Sequence, residues 1–159
     1  MRDSRPILLV EDDMVDAMAV RRAVRDLKLE NSLVHRSNGE EALEYLNEPA
    51  GSQPCLILLD LNMPRMNGFE FLNVLKASDR HRKIPVTILT TSSERGDIER
   101  SFDLGAAGYM VKSIDYASFL ETMRAVHRYW AVSEIPACAQ AEGTEHTCAA
   151  TDGTGSVRE

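Results

Sequence analysis

The chain has 159 residues and a formal net charge of −7, from 18 Lys and Arg against 25 Asp and Glu. A chain of this length is one domain's worth and can bury roughly 70% of its unfolded surface, enough for a self-sufficient core. The acidic balance excludes a broad electrostatic grip on nucleic acid or anionic lipid. No apolar run approaches the roughly 20 residues of a membrane span, and the polar start is not a signal peptide, so we predict a cytoplasmic protein.

Short apolar runs alternate with helical patterns along the chain, which predicts repeated βα units and a parallel sheet. Three of these runs are almost wholly apolar, as expected of strands that helices cover on both faces. The predicted strands are, in chain order, Ile7–Val10, Leu33–Arg36, Leu56–Leu59, Val86–Leu89 and Tyr109–Val111.

The helical patterns between the strands differ in the width of their apolar stripes. The second helix is short, around Glu40–Asn47. The segment Ser92–Leu104 has few sizeable apolar side chains, so we expect a helix there to be weakly anchored and easily shifted. In the last helix, Tyr116, Phe119, Leu120, Met123 and Trp130 are predicted to face the core, and Val126, Tyr129 and Val132 to lie on flanking directions.

Groups that can do chemistry close four of the predicted strands. The apolar run of the third strand is followed directly by Asp60. Pro64 and Asn67-Gly68 then predict a loop with a left-handed turn over the end of this strand. In chain order, the residues after these four strands supply carboxylates, a further carboxylate, hydroxyl groups and an ammonium group. The segments are Glu11-Asp12-Asp13, Asp60, Thr90-Thr91-Ser92 and Lys112, and Tyr109 lies inside the last strand.

This order resembles the receiver domain of bacterial two-component response regulators, over about Pro6 to Val132. Within that family the chain is most similar to single-domain regulators that partner bacterial phytochrome-type histidine kinases. The shared features are the Val10-Glu11-Asp12 opening, the Leu89-Thr90-Thr91-Ser92 run, Lys112-Ser113 and the late aromatic pair Tyr129-Trp130.

The resemblance implies an α/β, flavodoxin-like fold over residues 1–135, with a doubly wound five-stranded parallel sheet in the order 2-1-3-4-5 and five helices. Asp12 and Asp60 would then converge where the strand order reverses, with Glu11 beside them. Crowded carboxylates suit a hard divalent cation. By resemblance, Asp12, Asp60 and the backbone carbonyl of Asn62 bind Mg²⁺ and Glu11 acts through water. The alternative for Asp12 or Asp13 is a helix cap, which we favour for Asp13.

In the same family, Asp60 would be the nucleophile that accepts a phosphoryl group from a sensor histidine kinase. Lys112 and Thr90 would stabilise the phosphoryl oxygens, and Thr90 and Tyr109 would form the switch. Each has an ordinary alternative: a solvated strand-end charge for Lys112, a β-branched strand residue for Thr90 and a strand aromatic for Tyr109.

The chain departs from the usual receiver pattern at three positions. Asn67 replaces an Asp, which should change little because both tolerate a left-handed turn. Ser113 replaces a Pro that follows a cis bond, and a cis bond without Pro costs about 3–4 kcal/mol; the site must meet this cost, or the bond is trans. Thr91 is bulkier than the Ala or Gly that receivers often have at this position, and we expect it to narrow access to the phosphoryl group. The four histidines, His35, His81, His127 and His146, are predicted to have surface or filler roles.

The sequence is compatible with three functions: a phosphoacceptor switch, a magnesium-dependent phosphatase with an Asp nucleophile, and a degenerate receiver that binds partners without phosphorylation. The phosphatase is disfavoured because such enzymes place the nucleophile in a D-x-D motif after the first strand, where Glu11 stands. The degenerate receiver is disfavoured because all the phosphorylation groups are present.

The end of the chain carries two further predictions. After Pro136 the composition is polar and small, so residues 136–159 are predicted to form a disordered tail. Tyr129, Trp130 and Ile135 are predicted to form a homodimer interface. Tyr129 lies on a flanking direction of the last helix, and Ile135 continues past its probable end with no core left to cover, so these residues need a partner. Aromatic anchors such as Tyr129 and Trp130 are expected to dominate the energy of such an interface. The alternative is that the extension folds back on its own sheet. Because the residues after Val132 are too few for a helix-turn-helix module, we expect the signal to pass to another protein and not directly to DNA.

Overall fold

The structure is a computed structural model and describes residues 4–134, in which strands and helices alternate. The elements are β1 (Ile7–Val10), α1 (Met14–Asp26), β2 (Leu33–Arg36), α2 (Gly39–Asn47), β3 (Leu56–Leu59), α3 (Gly68–Ala77), β4 (Val86–Thr90), α4 (Arg95–Asp103), β5 (Gly108–Val111) and α5 (Tyr116–Val132). The strands form one parallel sheet in the order β2-β1-β3-β4-β5, which confirms the predicted doubly wound topology.

The sheet has an apolar core on each face. Successive strand residues point to opposite faces, so Leu8 and Val10 pack in one core while Ile7 and Leu9 pack in the other. α2 and α3 cover the first core, and α1 and α5 cover the second. Helices therefore cover both sides of the central strands, as their apolar runs predicted.

The core face of α5 differs from the prediction at Val126, which is only 4% exposed and packs with Phe119 and Met123. These three residues are spaced by four and three positions, and this spacing places them on one helix face. Trp130 extends the stripe and is half-buried. Tyr129 and Val132, at 62% and 84% exposure, lie off this core face, in agreement with their predicted flanking positions.

α4 is weakly held, as its sequence predicted. Among its residues only Ser101 is buried, and Phe102 is 49% exposed. No helix in the described part of the chain combines the length and the hydropathy that crossing a bilayer would need.

The loop after β3 corrects the predicted turn. The positive φ of 66° falls on Arg65, whereas Asn67 is extended and caps α3, exchanging hydrogen bonds with Glu70 in a capping box. Gly68 serves close approach: a Cβ there would lie 2.4 Å from the carbonyl oxygen of Asp60.

Gly68→Ala should therefore move the backbone of Asp60 or the start of α3. Such overpacking costs about 1–3 kcal/mol of unfolding free energy, measured by urea denaturation. Gly96→Ala is the matched control because a Cβ at Gly96 meets nothing within 4 Å. Equal stability of the two variants would contradict this account.

His81 fills the core and is 3% exposed. Its Nε2 lies 3.1 Å from the Leu46 carbonyl oxygen and so carries a proton, leaving Nδ1 to accept from the Ser78 hydroxyl at 3.3 Å. Burial lowers the pKa of His81, and the bond to Leu46 opposes this only in part. The folded state thus favours the neutral ring.

A pH dependence of stability follows from this lowered pKa. Below the ordinary value of 6.5 the unfolded chain binds a proton that the folded chain resists, so this contribution is lost as pH falls. We expect wild type to lose more unfolding free energy than His81→Gln between about pH 7 and pH 5. Urea denaturation across this range measures the difference, and parallel pH profiles would be the contrary result.

Candidate active site

Three acids meet at the carboxyl edge of the sheet. Residue pairing between β1 and β3 aligns Val10 with Leu59, so the residues that follow these strands lie side by side. Glu11 and Asp60 are buried, at 1% and 6% exposure, while Asp12 is exposed. One carboxylate oxygen from each of the three lies within 4.8 Å of the others.

The Asp60 carboxylate is held in a fixed orientation. Its Oδ1 accepts the Leu61 N–H at 2.8 Å, and the Thr90 hydroxyl and the Asn62 N–H also donate to the carboxylate. Burial raises the pKa of Asp60, against the opposing effects of Lys112 and these hydrogen bonds. The result is a poorly hydrated carboxylate with a defined direction, which favours attack on a bound electrophile.

Lys112 brings a positive charge into this acidic site. Its side chain is 9% exposed, and its Nζ lies 2.5 Å from Glu11, 2.8 Å from Asp16 and 3.9 Å from Asp60 Oδ1. Burial works against the ammonium form, but hydrogen bonds to Asp16 and Glu11 and the charge of Asp60 outweigh it and raise the pKa of Lys112. The described residues contain no cis peptide bond, so Lys112 reaches the site through a trans bond to Ser113.

The pKa of Glu11 is raised by its buried position and by the neighbouring negative charge. Its burial, together with repulsion from Asp60, raises its pKa to about 7, and the hydrogen bond from Lys112 opposes the shift. Two buried carboxylates and one exposed one are a donor set that fits a hard divalent cation that keeps some of its water. Asp13 lies outside this group and caps α1, where it accepts the N–H groups of Val15 and Asp16.

A series of hydrogen bonds runs from Asp60 to α4. Thr90, the fully buried last residue of β4, donates to Asp60, and its oxygen accepts the Ser92 N–H at 3.4 Å. The Ser92 hydroxyl donates to Asp97 of α4 at 2.6 Å. The Tyr109 hydroxyl donates to the Ser92 carbonyl at 3.0 Å. The predicted switch pair therefore meets at one loop residue.

Two further residues at this edge, Asp16 and His35, are not among the sequence-predicted site residues. Asp16 lies one turn after Asp12, and this i, i+4 spacing was a usable signal. His35 places Nε2 2.7 Å from the Glu11 carbonyl oxygen, although it lies in β2 and no strand-end pattern marks it.

The predicted interface residues lie away from the acids. Tyr129 and Trp130 stack edge to face, with ring centroids 4.9 Å apart. Trp130 also lines a cavity of about 540 Å³ near Ile7 and Cys55, at the amino ends of the strands. Ile135 and the predicted tail, residues 136–159, lie outside the described residues.

Comparison with known proteins agrees with this geometry. The response regulator receiver domain family model matches residues 7–124. This chain belongs to the response regulator receiver family. The family consists of phosphoacceptor switches, which take a phosphoryl group from a sensor histidine kinase onto an aspartate and are not enzymes that turn over a separate substrate.

Several relatives of this receiver are of similar size. The probable methanogenesis regulatory protein FilR2 of Methanothrix harundinacea is 35% identical over 127 residues, covering 78% of this chain and 82% of FilR2. Response regulator Rcp1 of Synechocystis is 30% identical over 128 residues, covering 78% of this chain and 87% of Rcp1.

Solved structures give the same result. The phosphorylated cyanobacterial phytochrome response regulator RcpA superimposes with a TM-score of 0.79 at 31% identity, over 85% of this chain and all of RcpA (100%). The Mn²⁺-bound form of Rcp1 gives a TM-score of 0.77 at 30% identity, over 84% of this chain and 99% of that one. These comparisons confirm the predicted family and the predicted similarity to phytochrome-associated response regulators.

Proposed function

We propose that this receiver accepts a phosphoryl group on Asp60 and relays the signal through phosphorylation-dependent protein contacts. One observation carries the proposal: the buried Asp60 carboxylate, the Thr90 hydroxyl and the Lys112 ammonium group converge at one edge of the sheet. A nucleophile flanked by a neutral donor and a cation is what phosphoryl transfer requires of a protein.

In this reaction an Asp60 carboxylate oxygen attacks the phosphorus of a phosphohistidine on the kinase. The new O–P bond forms as the N–P bond breaks, and the leaving imidazole nitrogen keeps the bonding pair. Thr90 and Lys112 donate to the phosphoryl oxygens and spread their charge.

Asp12, Asp60 and the Asn62 carbonyl would hold Mg²⁺, with Glu11 acting through water. The carboxylate cluster supports this assignment, as does the Mn²⁺-bound form of the similar Rcp1. When bound, the cation neutralises charge on the phosphoryl oxygens.

Thr90 and Tyr109 would form the switch. A phosphoryl group on Asp60 would draw the Thr90 hydroxyl toward it and away from Ser92, whose carbonyl binds Tyr109. Because α4 is weakly anchored, this local change can shift the helix.

The partner would be a phytochrome-type sensor histidine kinase in the cytoplasm, as the similarity to RcpA suggests. The acidic net charge of −7 favours a protein as the downstream partner and argues against nucleic acid or membrane. Residues 1–135 would form the receiver domain; the predicted tail, residues 136–159, lies outside the residues that the structure describes.

The homodimer remains part of this proposal, because the side chains of Tyr129 and Val132 are exposed on α5. Tyr129 also packs edge to face against Trp130, which gives this surface an aromatic pair. Wild type should sediment as a dimer at micromolar concentration, and polar substitution of Tyr129, Trp130 and Ile135 should give monomers. Phe102→Ser, on the exposed side of α4, is the control. A monomeric wild type, with or without phosphate, would refute the dimer, and a dimeric triple variant would refute this interface.

Incubation with acetyl phosphate and Mg²⁺, and separately with candidate kinases, tests the function. We expect acid-labile phosphate at a stoichiometry approaching one, without sustained turnover of small phosphate esters. Sustained turnover would indicate a phosphatase, and absence of label from every donor would indicate a receiver that acts without phosphorylation.

A further inference from the structure

Asp16 stands apart from the other acids around Lys112. Its carboxylate binds Nζ at 2.8 Å, whereas Asp60 Oδ1 is 3.9 Å from the same atom. Glu11 and Asp60 belong to the carboxylate cluster that fits a cation, and Asp16 does not. The charge of Asp16 is thus directed at Lys112 and not at the cluster that fits a cation.

The backbone on both sides of this pair is fixed. The N–H of Asp16 donates to the capping side chain of Asp13 at 3.2 Å, and the N–H of Lys112 donates to the Thr90 carbonyl oxygen at 2.7 Å. The two side chains can therefore adjust more easily than the backbone that carries them when a phosphoryl group forms on Asp60.

We propose that Asp16 is a positioning residue for phosphoryl transfer, which restrains the Lys112 ammonium group on the α1 side of the site and away from Asp60. This inference rests on the proposed role of Asp60 and adds a residue that limits how fast the site gains and loses phosphate. The restraint acts through Lys112, whose ammonium group donates a hydrogen bond to Asp16 at 2.8 Å.

Asp16→Asn removes the charge and keeps the size and the capped backbone. At saturating Mg²⁺ and acetyl phosphate, established separately for each variant, we expect about five-fold faster labelling and a shortened phosphate half-life. The ammonium group would then keep only its contact with Glu11 and could approach the phosphoryl oxygens more easily. Asp16→Glu retains the charge and should behave like wild type. Glu94→Gln removes a charge from the same edge of the sheet and controls for net charge.

The decisive comparison repeats Asp16→Asn in a Lys112→Met background. If Asp16 acts through Lys112, its effect should shrink to less than about two-fold there, since coupled residues are non-additive. A five-fold effect that persists without the lysine would mean simple charge repulsion and would overturn the proposal, as would slower or unchanged labelling in the single variant.

A second readout needs neither cation nor phosphate. In metal-free protein labelled with ¹⁵N-lysine, the Lys112 ammonium signal should shift and its protons should exchange faster in Asp16→Asn, with Asp16→Glu restoring both. An unchanged signal would overturn the restraint even if the rates differ. Failure of the proposed function is distinguishable, because wild type itself would then take up no label.

Discussion

Asp60→Asn should abolish Mg²⁺-dependent incorporation of acid-labile phosphate, by at least about 100-fold, while the fold is retained. The substitution removes the nucleophile but not the shape of the side chain, whose oxygen can still accept the Leu61 N–H. Because burial raises the pKa of Asp60, a neutral group at this position is tolerated. Circular dichroism and the thermal midpoint should stay close to those of wild type.

The control for this variant is Asp79→Asn, which neutralises a carboxylate that is 96% exposed and remote from the acid cluster. It should label as wild type does. Full labelling of Asp60→Asn would assign the phosphate to another residue and overturn the site.

Lys112→Ala should affect both chemistry and stability. The loss of a buried donor to the phosphoryl oxygens is expected to slow labelling about 100-fold without abolishing it. Removing the cation also leaves the buried Glu11 and Asp60 carboxylates facing each other, at a cost of about 3 kcal/mol of unfolding free energy in metal-free protein.

Mg²⁺ should restore much of that stability, because a bound cation replaces the lost positive charge. Urea denaturation with and without Mg²⁺ measures the effect, with Lys83→Ala on the exposed loop before β4 as the control. Equal unfolding free energies of Lys112→Ala and Lys83→Ala in metal-free protein would contradict this explanation.

The placement of helices and strands was accessible from local patterns, with errors at their edges. The apolar run before Thr90 predicted β4 one residue too short, because a strand end is defined by its pairing with a neighbour, here Thr90 with Val111. Val126 was assigned to a flank of α5 because the sequence gives the helical period but not the width of the surface that the sheet and α1 present to it.

The loop after β3 shows a different kind of limit. Asn67 and Gly68 each tolerate positive φ, and composition alone favoured a left-handed turn there. The structure uses Asn67 as a cap and Gly68 for its missing Cβ, since α3 begins against the backbone of Asp60. The sequence shows that a glycine can adopt positive φ and can lie close to another segment because it has no Cβ. Which of these two properties the fold uses depends on the tertiary neighbours of the glycine.

The sequence by itself determined the order of the strands' closing groups, and with it the family: acids, acid, hydroxyl and ammonium follow apolar runs that local periodicity identifies. It also determined which strands are covered on both faces, because burial of a whole strand requires an unbroken apolar run. Only the tertiary structure decided which of these groups touch. Lys112 meets Asp16 across 96 positions of sequence, and His35 meets the carbonyl of Glu11 across 24, because parallel strands bring distant chain segments to one edge of the sheet.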